Sequence, residues 1–422
     1  MPDQSIIQDG SPSKSKFMTP MIRSSRRSAN FHYAIRNLTT AAEALERRGR
    51  EVIYLNIGDP QAYGFRPPAH LVEEVARALK DDFTGYSHSA GLLEAREAVA
   101  SYATALGAPT TPAQVLMTSG ASEAADLLLT ALVEEGDEVL VPAPGYPLYP
   151  AILNKLGAVA RYYRLDGAHG WALSREELAG LVNERTRALL LINPSNPTGA
   201  IISEESIVEI LELAARHDLL VIADEVYREL SFGEQPTPAS VVAGEMDVPL
   251  ITLESLSKTY LVPGWRTGWM RYTNEELMSG LTLAVTRLAG GRLCSPTPTQ
   301  YAVRPALEGD KSFLKIFMDE IRRRRDFVMR AIGKIEGLSC VLPEAAFYAM
   351  IRAKDPLGRS DERLVLDLLE ATGALVVHGS GFGSDPAEGY FRLVYLADEE
   401  VLGHVFKEIE RFFQSTRQHA AT

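Results

Sequence analysis

The chemically richest stretch of the chain is Ser255-Leu256-Ser257-Lys258, followed by Pro263-Gly264-Trp265-Arg266. A lysine alone says little, since most lie at the surface and keep their charge in water. Lys258, however, directly follows an apolar run and is flanked by two hydroxyls, an arginine and a glycine. Desolvation and nearby cations lower a lysine pKa toward the reactive amine that Schiff-base chemistry needs. Ser255, Ser257 and Arg266 then suit a phosphate dianion, with hydroxyl donors and a guanidinium fork converging on it. A carbonyl-reactive lysine beside a phosphate site describes pyridoxal phosphate. That cofactor draws electrons only while its ring nitrogen stays protonated, which calls for a buried carboxylate. Asp224 closes the apolar run Leu219 to Ala223 and is the candidate; its plainer reading is a helix cap or ion-pair member. Tyr227 and Asn196 are placed to donate to the ring's phenolate oxygen.

Two further segments fit the same ligand. Ser119-Gly120-Ala121-Ser122-Glu123 joins a strand to a helix, and its free amides, helix dipole and Ser122 hydroxyl make an anion site. Read alone, it is an N-cap turn. Tyr146, in Pro144-Gly145-Tyr146-Pro147, lies past another strand end, either to stack on a pyridine face or as a plain loop aromatic.

These residues sit where short apolar runs stop: Val115 to Thr118, Val139 to Val141, Ala188 to Ile192, Leu219 to Ala223 and Leu250 to Leu253. Helical periodicity separates several of them, as in Glu123 to Glu135 and Glu204 to His217. Buried parallel strands read as continuous apolar runs and need helical crossovers, so the pattern predicts an α/β sheet covered on both faces. Ligands of such sheets bind outside the carboxyl ends of the strands, which makes one composite site of several polar strand ends. A long amphipathic helix from Lys311 to Glu336 then opens a smaller second domain. The expected division is an arm over 1–30, a contact segment over 31–60, a large domain over 61–307 and a small one over 308–422.

Composition sets outer limits. The 422 residues carry 43 basic and 55 acidic side chains, a formal charge of −12. This balance argues against a nucleic-acid partner, because phosphate binding needs a basic face. The basic run Arg322 to Arg325 is read as a solvated helix face. No window approaches the roughly 18 apolar residues of a membrane span. Two cysteines, Cys294 and Cys340, are too few for a disulfide framework or a cysteine-built metal site, so no metal is expected and a reduced, cytoplasmic setting fits. Residues 1 to about 30 are Ser-rich and lack a secretory signal's apolar stretch, while Asp3 and Asp9 weaken a mitochondrial reading.

Lys258 with its flanks, Asn193-Pro194-Ser195-Asn196-Pro197-Thr198-Gly199 and Asp224-Glu225-Val226-Tyr227, taken in this order, resemble the class I/II aminotransferases of pyridoxal-phosphate fold type I. The resemblance runs from about Tyr33 to about Phe413. It implies a mostly parallel seven-stranded sheet between helices with a smaller α+β domain. It implies that Arg392, in Gly389-Tyr390-Phe391-Arg392-Leu393, clamps the substrate α-carboxylate, and that Gly58, in Leu55-Asn56-Ile57-Gly58-Asp59-Pro60, meets the same group through its backbone. Tyr86, followed by Gly91, resembles the tyrosine that reaches the partner subunit's phosphate, which implies a homodimer with shared active sites. The expected reaction is a ping-pong exchange between an amino acid and a 2-oxo acid, with Lys258 moving the proton.

Tyr33-Ala34-Ile35-Arg36, Tyr54 to Pro60 and His378-Gly379-Ser380-Gly381-Phe382-Gly383 look like the alanine/glutamate-type enzymes of archaea and bacteria. Gln61, His88, Ala90, Ala345, Ala346 and Pro296 depart from the family's usual residues and bear on the side-chain pocket. Two other readings stand beside this one: the same cofactor fold running a lyase, cyclase, decarboxylase or oxidase reaction, and a sensor without catalysis. Arg292 is read as a surface or interface residue before a ligand for a distal carboxylate.

Overall fold

A computed structural model describes residues 38–355 and 357–420, together with Ser25 and Arg27. The arm and Tyr33 to Arg36 therefore lie outside the described residues. In chain order the strands are β1 (Ile53–Tyr54), β2 (Val115–Thr118), β3 (Glu138–Ala143), β4 (Val159–Asp166), β5 (Ala172–Leu173), β6 (Thr186–Ile192) and β7 (Leu220–Asp224). There follow β8 (Leu250–Ser255), β9 (Gly268–Thr273), β10 (Leu338–Cys340), β11 (Tyr348–Ala353), β12 (Ala374–Leu375), β13 (Val377–His378) and β14 (Tyr390–Val394).

The main sheet runs β2-β9-β8-β7-β6-β3-β4-β5. Its centre, β8 through β7, β6 and β3 to β4, is parallel, and β9 and β5 are antiparallel to their neighbours. Seven strands match the expected sheet, and the two-residue β5 adds an eighth at the edge. Every residue of β2, β3, β7 and β8 is buried, as continuous apolar runs require. Two strands are concealed in the sequence. β4 is half exposed, and its Arg161, Tyr162 and Arg164 break the apolar run. In β9 the charge of Arg271 hides a buried strand, because Glu254 on β8 accepts its Nε at 2.7 Å.

Helices Ala121–Leu132, Glu204–Arg216 and Ser312–Ile332 lie within a few residues of the periodic stretches that announce them. Ser203 caps the second, accepting the Ser206 N–H at 3.2 Å. The basic run on the third corrects the expected solvated face. Arg324 and Arg325 are buried, with their guanidiniums 4.7 Å from the Phe65 ring and 4.3 Å from the Phe232 ring. Arg322, Arg324 and Arg325 donate to the carbonyls of Phe232, Leu396 and Pro343. Planar guanidiniums stack on aromatic faces and still satisfy carbonyls, which a rule counting charges misses. Arg322 and Arg323 are exposed and fit the solvated reading, Arg323 with 69% of its side chain in solvent.

A second sheet, β10-β11-β14-β13, is antiparallel. β1 pairs with β12, and Val394 N donates to Leu55 O at 2.9 Å. These contacts carry Asn56, Ile57 and Gly58 to the strand that holds Arg392. Among the described residues no helix is long and apolar enough to cross a membrane.

Candidate active site

A cavity of about 210 Å³ opens at the carboxyl ends of β6, β7 and β8. It is lined by Gly58, Ala121, Ser122, Tyr146, Asn196, Asp224, Tyr227, Ser255, Ser257, Lys258, Arg266 and Arg392. Of the residues singled out from the sequence, Gly120 and Tyr86 are not on its wall. Gly120 caps the helix whose first residues, Ala121 and Ser122, are; its φ is +78°. A Cβ there would stand 2.5 Å from Arg266 Nη2, so only glycine admits the guanidinium. Tyr86 is 83% exposed.

Burial lowers the Lys258 amine to about 8, with Asp59 opposing and the cations of Arg392 and Arg266 helping. Its Nζ donates to Gly58 O at 2.8 Å. Ser122, Ser255 and Ser257 offer hydroxyls, the first turn of the helix offers amides, and Arg266 offers a fixed cation. Its guanidinium is anchored on Pro263 O at 2.9 Å and Ser119 O at 3.3 Å. Such a set can cradle a phosphate.

Asp224 is 7% exposed. Burial pushes its carboxyl up, while hydrogen bonds from the Tyr149 hydroxyl, 2.7 Å from Oδ2, and the Val226 N–H, 3.3 Å from Oδ1, pull it back. Tyr149 was not marked out by the sequence, though its place in the apolar first turns of helix Leu148–Leu156, three residues past Tyr146, was a faint signal. Tyr348 was likewise missed. Its hydroxyl lies 2.6 Å from that of Tyr227, and burial holds the Tyr227 phenol far above its ordinary range, with Tyr348 adding to the shift.

Arg392 is 1% exposed. It donates to Asn196 Oδ1 at 2.9 Å and to the Asn56 carbonyl, and lies between the rings of Tyr348 and Phe382 at 4.6 and 4.7 Å. A Cβ on Gly58 would meet Phe347 and Tyr348 atoms at 2.5 Å, so glycine alone lets that backbone approach. Arg292 is elsewhere engaged, paired with Glu123 at 3.1 Å and donating to Met117 O at 2.7 Å. The glycine run at His378 forms a short 3-10 turn over Gly379–Phe382, with no α-helix opening from it.

Residues 50–409 match the family model described as "Aminotransferase class I and II". Alanine aminotransferase of Mycobacterium tuberculosis is 36% identical over 384 residues, 89% of each chain. Glutamate-pyruvate aminotransferase AlaA of Escherichia coli is 34% identical over 408 residues, 95% of this chain and 100% of that one. The solved alanine aminotransferase from Pyrococcus furiosus superimposes with a TM-score of 0.90 at 35% identity, covering 93% of this chain and all of the other.

Proposed function

The chain belongs to the class I and II aminotransferases, a pyridoxal-phosphate-dependent family of fold type I, and from that premise we propose that it exchanges amino groups among alanine, glutamate and their 2-oxo acids. The observation that carries the reading is the convergence of a deprotonatable lysine, a buried carboxylate and a buried arginine on one cavity. The donor set fits the cofactor. Ser122, Ser255, Ser257, Arg266 and the amides from Gly120 to Ser122 would hold its phosphate, Asp224 its ring nitrogen, Tyr227 and Asn196 its phenolate oxygen, and Tyr146 a ring face. When bound, the cofactor supplies a carbonyl for amines and a ring that withdraws electrons from the substrate's α-carbon.

The remaining roles fall to the chain. Arg392 binds the α-carboxylate, with Asn196 and the Asn56 carbonyl fixing the guanidinium plane and Gly58 leaving room beside it. Lys258, its amine lowered to about 8, takes the proton from the substrate's α-carbon as a general base. Tyr149 keeps Asp224 anionic and oriented.

The short-substrate preference is supported by the named relatives and by Ile57, Leu148 and Tyr348 on the cavity wall. A donor and acceptor panel tests it: L-alanine should change the visible absorbance of the bound cofactor, and pyruvate or 2-oxoglutarate should restore it. Ammonia release from L-alanine without an acceptor would overturn the assignment. We read the exposed Tyr86, with Leu79, Phe83 and Leu293 also exposed, as part of a homodimer face that serves the partner's site. The separation of the eight-stranded sheet from the four-stranded one supports a division at about residues 61 and 308, and the two free cysteines support a reducing, cytoplasmic setting.

A further inference from the structure

Near the arginine that binds the carboxylate lies a buried acid to which the reaction gives no part. Asp361 is the first residue of helix Asp361–Thr372 and is 1% exposed. Among the described residues no cation pairs with it, and a buried carboxylate is costly unless hydrogen bonds satisfy it. Three do so here. Oδ1 accepts the Glu362 N–H at 2.8 Å and the Ser380 hydroxyl at 2.9 Å, and Oδ2 accepts the Ser380 N–H at 2.5 Å. Only the first donor belongs to the helix. The other two come from the short turn Gly379–Phe382, so the carboxylate serves the turn more than its own helix.

The turn is built tightly around Ser380. His378 precedes it at the end of β13; its Nδ1 accepts the Gly381 N–H at 3.1 Å and lies 2.7 Å from Ser380 Oγ. Gly383 closes it at φ +88°, with its N–H donating to Ser380 O at 3.1 Å. The last residue of the turn, Phe382, packs its ring 4.7 Å from the Arg392 guanidinium. β13 pairs with β14 at the same place, Val377 opposite Arg392. A guanidinium fork holds a carboxylate through two parallel bonds only while its plane is fixed. Asn196 and the Asn56 carbonyl fix the fork along its edge. Its tilt is set by the rings of Tyr348 and Phe382. Tyr348 is braced by the Tyr227 hydroxyl at 2.6 Å, whereas Phe382 depends on the turn.

We propose that Asp361 is a positioning residue for the substrate's α-carboxylate, acting through Ser380 to seat Phe382 against Arg392. Without this acceptor the Ser380 N–H and O–H lose their partner, the turn shifts, and the fork gains freedom to tilt. The effect is confined to molecules that bring a carboxylate. KM therefore rises for amino acids and 2-oxo acids alike, while the step carried by Lys258 keeps its rate. The inference rests on the reading of Arg392 as the carboxylate clamp.

The test uses the holoenzyme and two probes, each with half of the substrate's chemistry: propionate has the carboxylate without the amine, and ethylamine the amine without the carboxylate. In Asp361→Asn and Ser380→Ala, the propionate inhibition constant and the KM for L-alanine should rise up to about tenfold with kcat near the wild-type value, tenfold being the low end for a hydrogen bond to a charged group. The rate at which ethylamine changes the visible absorbance of the bound cofactor should stay the same, whereas a general loosening of the site would alter it. Ser380→Thr keeps the hydroxyl and should bind propionate as the wild type does. Should Asp361→Asn fail to fold, Ser380→Ala decides alone, since Ser380 is only half-buried. An unchanged propionate constant in Ser380→Ala, or an equal change with ethylamine, overturns the proposal. Arg392→Lys separates the two levels. If it leaves propionate binding unchanged, the clamp reading fails and this proposal with it; if it weakens propionate while Ser380→Ala does not, only the role of Asp361 fails.

Discussion

Replacing Tyr149 with phenylalanine removes one oxygen and keeps the ring, which is 2% exposed and lines the cavity. The lost contact is the 2.7 Å hydrogen bond to Asp224 Oδ2. A hydrogen bond to a charged partner contributes about 1.5–3 kcal/mol. At 1.36 kcal/mol per pKa unit, the Asp224 carboxyl should rise by roughly 1–2 units. The sign follows from what remains: burial already pushes this group up, and only the weaker Val226 N–H at 3.3 Å would still oppose it. The working form is the anion, so activity should survive at alkaline pH and fail earlier on acidification. The assay is kcat/KM for L-alanine from pH 5 to 9, whose limbs report the free enzyme. An acid limb displaced upward by roughly 1–2 units, with a near-normal alkaline plateau, is expected. An unmoved acid limb in a variant that melts like the wild type would refute the reasoning, since Tyr149 would then be a packing residue.

Arg392→Lys trades a planar fork stacked between Tyr348 and Phe382 for a point charge. The KM for amino acids should rise about 10–100-fold, and steady-state kinetics showing only a kcat loss would count against the clamp. Ala346 stands at φ +58°, where a Cβ is strained. Ala346→Gly should therefore stabilise the fold by about 0.5–1 kcal/mol, read from denaturant unfolding, and destabilisation would contradict that. If Tyr86 serves the partner's site, mixed dimers of Lys258→Ala and Tyr86→Ala chains should regain one intact site; mixing that restores nothing rules out sharing.

What the sequence displayed was set by chain-local physics. β7 and β8 announced themselves as the apolar runs Leu219 to Ala223 and Leu250 to Leu253, and the chemistry followed from the polar residues just past them. β9 stayed hidden because Arg271 looks like a surface residue until Glu254 is placed beside it. Tyr149 and Tyr348 were missed for a related reason: a tyrosine reads as core or surface until its hydroxyl's partner is known, and Asp224 is 75 residues from the first and Tyr227 121 from the second. The Arg322 to Arg325 run misled in the opposite direction, since its carbonyl partners come from distant loops. Gly58 and Arg392 became legible only through resemblance, for nothing local marks either as a carboxylate site.

The pairing of Asn56 with Arg392 also bears on how the protein is made. The two residues are 336 positions apart. At translation rates of about 5–20 residues per second, Asn56 leaves the ribosome roughly 15–70 s before its partner is synthesised. Until then β1 has no β12 to pair with, and the apolar Ile53 to Leu55 stretch must wait unpaired beside a growing main sheet. The substrate-binding half of the enzyme is thus assembled last, so a nascent or C-terminally truncated chain can build the sheet that holds the lysine while lacking the clamp that would let it act on an amino acid.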